Sequence, residues 1–402
     1  MTAPQPFDFA DRLQAVQPTA VNSILAEMRE LQASGQTLVS LMRGEPDLPT
    51  PQHITEACFR ALRDGRTGYP DNRGEKHFRE AVAQKLAREN QLSYDPGIEV
   101  LATSGGTFGI YAALMAVLNE GDEVLLPDPI YDAYQSPIRL CGGRIEPVLS
   151  RIENGRFVID LDALKAAWSQ RARMLILNTP WNPVGTVLRH EELTAIAEFC
   201  EDRNLILVSD EIYEAITYEG HRHISPLQAA PGLRDRFILV NSLSKTYSMT
   251  GWRVGYCAAP ARIIQAMFMV LAQSSRGPAT FIQDAAAVAL SGPQECVTQA
   301  CAEYSRRRAH VLEQLKDIPG VQILTPEGGF FAMADVRSAS IPSNEIRQRL
   351  LKEFGVAVVH GMAYGAGGEG TLRVSFASGG ETLTRGVERL RAGLIAIVEG
   401  AR

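Results

Sequence analysis

The stretch SLSKTYSMTGWRVGY, residues 242–256, follows an apolar run, Phe237 to Val240, that reads as a strand, and precedes another, Gly255 to Ala258. Ser242, Ser244 and Lys245 therefore stand where a strand's carboxyl end meets a loop of small residues, the place where open α/β sheets put their ligands. Arg253 follows in a turn flanked by glycine. Hydroxyls with a guanidinium clamp a phosphate, and an amine in a partly desolvated site forms a Schiff base with an aldehyde.

Further short apolar runs, Glu123 to Leu126, Met174 to Leu177 and Leu205 to Val208, are bounded by polar or turn residues and read as strands. They alternate with helix-period segments, Phe108 to Leu118, Glu191 to Arg203 and Ala261 to Leu271. That alternation implies crossover connections and a mostly parallel sheet covered on both faces, an α/β domain over about residues 50 to 290. A charge-rich helix, Glu295 to Lys316, then ends at Pro319-Gly320. Beyond it, short strands (Val321 to Leu324, Phe330 to Met333, Val356 to Val359, Leu372 to Phe376) surround a helix, Ser343 to Phe354, and predict a smaller α+β domain.

The 402 residues leave room for two or three domains at about 150 residues each. With 45% hydrophobic and 21% charged residues, the chain is neither disordered nor a disulfide scaffold. Its formal charge of -6 lacks the basic excess that nucleic-acid binding demands. Six cysteines without a CxxC spacing suit a reduced, cytoplasmic compartment. No secretory leader and no membrane span are expected, since the most apolar stretches fall short of about 20 residues.

Signals of other chemistries are weak or missing. Gly365-Ala366-Gly367-Gly368-Glu369-Gly370 matches a dinucleotide fingerprint, but the TLRVSF that follows reads as a strand where a helix is required, so a flexible glycine loop is expected. No Walker lysine motif, HExxH or GxSxG occurs. His221 and His223 lack a third ligand in sequence, so they are expected in solvent and no metal is assigned.

The lysine stretch resembles the signature of the class I and II aminotransferases, the fold type I pyridoxal-phosphate enzymes. The likeness runs in family order through LMRGEPDLPTP at Leu41, GYPDNRG at Gly68, TSGGTFGI at Thr103, DPIYDAY at Asp128, NTPWNPVGT at Asn178, SDEIYE at Ser209, the lysine stretch and LRVSFA at Leu372. It implies an α/β fold with a large domain, its mixed sheet mostly parallel, over residues 46–292, a smaller α+β domain over 293–402, and an N-terminal arm over 1–45 that joins the small domain.

The resemblance also implies roles. Lys245 carries the cofactor pyridoxal 5'-phosphate and moves protons, Asp210 pairs with the protonated ring nitrogen, and Tyr213 with Asn182 bonds the ring's phenolic oxygen. Ile212 and Tyr131 pack on the two ring faces. Gly105, Gly106 and Thr107 open the helix that meets the phosphate, with Ser242, Ser244 and Arg253 completing the cradle. Tyr69 reaches the phosphate of a neighbouring subunit, which implies a homodimer with shared sites. Arg373 grips the substrate carboxylate by a bidentate fork, assisted by Asn182 and the Gly44 backbone.

The implied activity is exchange of amino and oxo groups between an L-amino acid and a 2-oxo acid by a ping-pong mechanism. A β-eliminating lyase stays open, because the electron sink does not dictate where the proton returns. A non-catalytic cofactor-sensing regulator would need a DNA-binding module, for which no recognition helix is seen. Departures from the usual pattern are Val184, where relatives commonly have threonine, and Arg276 in QSSRGPATFIQD. Arg276, donated across the dimer interface, would face the distal end of an acidic or polar substrate side chain. Trp181 and Arg43 are further large groups expected beside the site.

Overall fold

The computed structural model describes residues 8–16 and 18–400. Its strands are Val39–Ser40 (β1), Val100–Thr103 (β2), Glu123–Asp128 (β3), Arg144–Glu153 (β4), Arg156–Ile159 (β5), Ala172–Asn178 (β6), Ile206–Asp210 (β7), Phe237–Ser242 (β8), Gly255–Ala258 (β9), Gln322–Leu324 (β10), Phe331–Asp335 (β11), Val356–Ala357 (β12), Val359–His360 (β13) and Thr371–Ser375 (β14). Eight of them form one sheet in the order β2-β9-β8-β7-β6-β3-β4-β5. The pairs β8-β7, β7-β6, β6-β3 and β3-β4 are parallel, while β2-β9, β9-β8 and β4-β5 are antiparallel.

Continuous apolar runs make the central strands because both faces of this sheet are covered. Leu125, Leu175, Leu177, Leu207 and Leu239 point into one core cluster. Their chain neighbours Val124, Leu126, Ile176, Val208, Ile238 and Val240 point into another, on the opposite face. The period of two is thus complete across four strands. Parallel pairing brings the carboxyl ends of β6, β7 and β8 to one edge, with Asn178 opposite Asp210 and Asp210 opposite Val240.

A second, antiparallel sheet runs β10-β11-β14-β13. Its core includes residues of the helices Glu295–Leu315, Ser343–Phe354 and Gly380–Gly400. The single strand expected over Val356 to Val359 is two, because the chain changes sheets there: β12 pairs parallel with β1, and β13 pairs with β14. The helix Ala20–Ala33, capped by the Thr19 hydroxyl, seats Ile24 and Met28 in a small cluster with Met42, Leu351 and Tyr364. Among the described residues no helix is long and apolar enough to cross a membrane.

The glycine run at 365–370 is a packed element and not the flexible loop expected. Gly365 takes φ +116°, and a Cβ there would lie 2.4 Å from Asp128 Oδ1. The Gly367 N–H donates to the same carboxylate at 3.1 Å, and the Ile130 N–H donates to Tyr364 O at 2.5 Å. Close backbone approach to the end of β3 is what these glycines permit.

Candidate active site

A cavity of about 660 Å³ opens at the carboxyl ends of β6, β7 and β8. Lys245, one residue past Ser244, enters it and donates from Nζ to Gly44 O at 2.6 Å. Burial lowers the ammonium pKa to about 8, with Glu45 and Asp210 opposing that shift. A substantial share of this amine is therefore neutral near pH 8, the form that attacks a carbonyl. The Tyr213 ring centroid lies 6.0 Å from Nζ.

Asp210 ends β7 and is buried in the same cavity. Desolvation raises its pKa to about 6, against hydrogen bonds from the Tyr134 hydroxyl (2.6 Å) and the Ile212 N–H (3.2 Å). Tyr134 stacks edge-on against Tyr131, their centroids 5.2 Å apart. The Asn178 amide bridges the site's floor, donating to Asp210 O at 3.0 Å and accepting from the Asn182 N–H at 2.7 Å. Neither Tyr134 nor Asn178 was assigned from sequence, although both stand inside motifs quoted above.

Gly106, Thr107, Ser242, Ser244 and Arg253 also line the cavity. The helix Gly106–Val117 begins there, and its first N–H groups have no intrahelical acceptor. Gly105 is required by contact as well as conformation: φ is +83°, and a Cβ would sit 2.8 Å from Arg253 Nη2. Arg253 itself adopts a left-handed φ of 54° and anchors Nη1 on Thr250 O at 2.9 Å. The Ser242 hydroxyl accepts from the Ser244 N–H at 3.2 Å.

Arg373 is 3% exposed. β14, which carries it, lies between β11 and β13. Its guanidinium donates to Asn182 Oδ1 (3.3 Å) and Met42 O (3.0 Å), while the buried Nε has no partner among the described residues. Phe331 lies 4.3 Å beneath it. Gly44, whose backbone was expected to assist this arginine, lines the cavity and accepts from Lys245 through its carbonyl.

Tyr69 and Arg276 lie outside this cavity. Tyr69 is 89% exposed, and the Arg276 guanidinium stands 5.7 Å from its ring centroid. Trp181, expected beside the site, turns into the core and donates its indole N–H to Pro129 O at 3.0 Å. Val184 is likewise core. Arg43 does line the cavity, with Nη2 3.4 Å from Glu45 Oε1.

His223 is not in solvent. Its side chain is 4% exposed, with Nε2 2.9 Å from Glu211 Oε2, and Ser225 donates to the other Glu211 oxygen at 2.7 Å. Glu211, Glu214 and His223 bring ligand atoms within 4.8 Å of one another. The ammonium of Lys85 already sits on Glu214 and supplies the positive charge there.

The cavity thus gathers a buried carboxylate, an amine, and a cluster of an arginine, two serines and a helix N-terminus. That donor set fits pyridoxal phosphate, which carries a basic ring nitrogen opposite a phosphate dianion and an aldehyde beside them. The unpartnered Nε of Arg373 is matched to a further acceptor such as a carboxylate.

Comparison with known proteins agrees. The family described as aminotransferase class I and II matches residues 36–390. A probable aspartate/prephenate aminotransferase of Aquifex aeolicus is 37% identical over 96% of this chain and 98% of its own length. The aspartate aminotransferase of Thermus thermophilus, solved with maleate, superposes with a TM-score of 0.89 at 37% identity, covering 96% of this chain and 100% of that one. The aspartate aminotransferase of Rhizobium meliloti gives 0.93 at 31% identity, covering 97% and 99%.

Proposed function

The chain belongs to the class I and II aminotransferases and is a pyridoxal-phosphate-dependent enzyme that exchanges the amino group of an L-amino acid with a 2-oxo acid; on that premise we propose which residues perform the exchange. When bound, the cofactor supplies an aldehyde that condenses with amines and a protonated ring that takes up the electron pair left at the substrate α-carbon.

Lys245 Nζ would anchor the cofactor and, once displaced by the substrate amine, would take the proton from the substrate α-carbon and return it to the carbon that had been the cofactor's aldehyde, two atoms further along. Its lowered pKa suits both tasks, because a neutral amine accepts the proton and an ammonium near pH 8 gives it back. Asp210, ionised above pH 6, holds the ring nitrogen's proton, and Tyr134 and Ile212 fix its two oxygens. Burial holds the Tyr213 hydroxyl far above its ordinary pKa, so it stays a donor toward the phenolic oxygen beside Asn182. Ile212 and Tyr131 enclose the ring. Gly105, Gly106, Thr107, Ser242, Ser244 and Arg253 bind the phosphate. Arg373, with Asn182, orients the substrate by its α-carboxylate.

The chain acts as a cytoplasmic homodimer, with Tyr69 and Arg276 offered to the pocket of the second copy. The exposure of Tyr69, and of Phe59 and Met269 at 61% and 54%, supports a covering partner. The chain divides at about residues 45 and 292 into arm, cofactor-binding domain and small domain, the arm's β1 pairing with β12.

The observation that carries this reading is that Lys245, Asp210 and Arg253 line one cavity. The test is borohydride reduction of the holoenzyme followed by peptide mapping: the cofactor is expected on Lys245, and recovery on another lysine would overturn the assignment.

A further inference from the structure

Once the groups assigned to the cofactor and the α-carboxylate are set aside, much of the remaining cavity wall is apolar: Val21 and Leu25 from the Ala20–Ala33 helix, Met42, Ile110, Ala133 and Pro137. Val21 and Leu25 are four residues apart and share one helix face. The helix is fixed from its buried side by Ile24 and Met28, 2% and 7% exposed. Ile110 stands four residues past Gly106 on the helix that begins at the phosphate end, and it is buried at 4%.

The two charges on this wall answer each other. Arg43 faces Glu45 at 3.4 Å and Pro46 O at 3.3 Å, and Glu45 also accepts from the Thr250 hydroxyl at 2.8 Å. A substrate carboxylate directed at this wall would have to displace Glu45 or lose its hydration without a counter-ion, and both are unfavourable. An apolar side chain gains by leaving water there. Arg276 stands over its own Tyr69 and does not line its own cavity, so only a second copy's Arg276 is left to meet a distal carboxylate here, and the experiment below includes that arginine.

Resting on the aminotransferase reading above, we infer that the amino donor carries a bulky apolar side chain, aliphatic or aromatic, and that Leu25 and Ile110 are specificity-determining residues.

The experiment is a single-turnover donor screen on the holoenzyme, following the cofactor's absorbance with phenylalanine, leucine, aspartate and glutamate. The better apolar donor is expected to exceed both acidic ones by at least about tenfold in efficiency. Acidic donors that match or exceed it overturn the inference, and loss of their advantage in Arg276→Ala would assign selection to that residue instead. If no donor converts the cofactor, the aminotransferase reading itself fails. Leu25→Gln and Ile110→Gln are each expected to lower the phenylalanine-to-aspartate ratio by about fivefold or more, chiefly through the apparent binding constant. Retention of the holoenzyme spectrum reports folding in each variant, and an unchanged ratio in both overturns the assignment of the wall.

Discussion

The Tyr134 hydroxyl donates to Asp210 Oδ2 at 2.6 Å, joining a turn after β3 to the end of β7. A carboxylate left without that donor is less stable as an anion, so Tyr134→Phe is expected to raise the Asp210 pKa above its present value of about 6. Activity that needs the ionised carboxylate then acquires an acid limb at higher pH. The loss of one hydrogen bond to a charge, about 1.5 to 3 kcal/mol, corresponds to roughly a 10- to 150-fold fall in kcat/KM near neutrality. A pH-rate profile checks both; an unmoved acid limb would remove Tyr134 from the site.

Asp210 also costs the apoprotein stability, with a definite sign. Its folded pKa of about 6 exceeds the ordinary 3.8, so the folded state binds the proton more tightly. The penalty is complete above pH 6 and fades as the pH falls toward 4, reaching on the order of 3 kcal/mol. Asp210→Asn apoprotein is therefore expected to melt higher than the parent at pH 7.5, the gap closing near pH 4, while turnover is lost. Calorimetry at the two pH values measures it.

For Lys245 the shift runs the other way. Burial lowers its pKa to about 8, so the rate at which apoenzyme takes up pyridoxal phosphate covalently should rise with pH and level off just above 8, where an exposed lysine would keep accelerating toward 10. Lys245→Ala is expected to abolish turnover yet keep noncovalent cofactor binding, since the phosphate cradle remains. Equilibrium dialysis separates binding from attachment.

Tyr69 and Arg276 meet at 5.7 Å on the surface, clear of their own cavity. Light scattering is expected to give twice the chain mass, and Tyr69→Phe to weaken cofactor binding roughly 10- to 150-fold if the hydroxyl reaches the partner's phosphate. An active monomer would refute the shared site.

What could be read from the sequence follows from how locally each feature is specified. Strands β6 to β9 announce themselves as apolar runs because neighbours on both faces bury nearly every residue, Arg173 and Ile206 at the strand starts excepted. The hairpin β4-β5 did not, since Arg144 to Glu153 alternates exposed and part-buried positions at the sheet's margin and carries as much charge as a loop. His223 looked like a loop histidine because its partner Glu211 lies twelve residues back, at the end of a strand. Tyr134 and Asp210 are 76 residues apart, and only the parallel pairing of β3, β6 and β7 makes them neighbours. Of the arm, the sequence offered Arg43 and Gly44 alone; the helix Ala20–Ala33 carries no motif, and that Val21 and Leu25 line the cavity emerges only from the tertiary packing.

The contact between Gly365 and Asp128 leads to a prediction about the fold itself. Gly365 combines a left-handed φ of +116° with a Cβ direction blocked by the Asp128 carboxylate at 2.4 Å. Strain and overlap act together in Gly365→Ala, because the side chain cannot be accommodated without breaking the Gly367 N–H to Asp128 bond or lifting the 365–368 turn from the end of β3. A loss of about 2 to 4 kcal/mol is expected. Gly380 also has a positive φ, +59°, but open space around it, so Gly380→Ala meets backbone strain alone and should cost only about 1 kcal/mol. Denaturant melts of the two variants side by side isolate the steric part of the cost. Equal losses would mean that the turn moves freely against β3, and that the close approach at Asp128 does not hold the two sheets together.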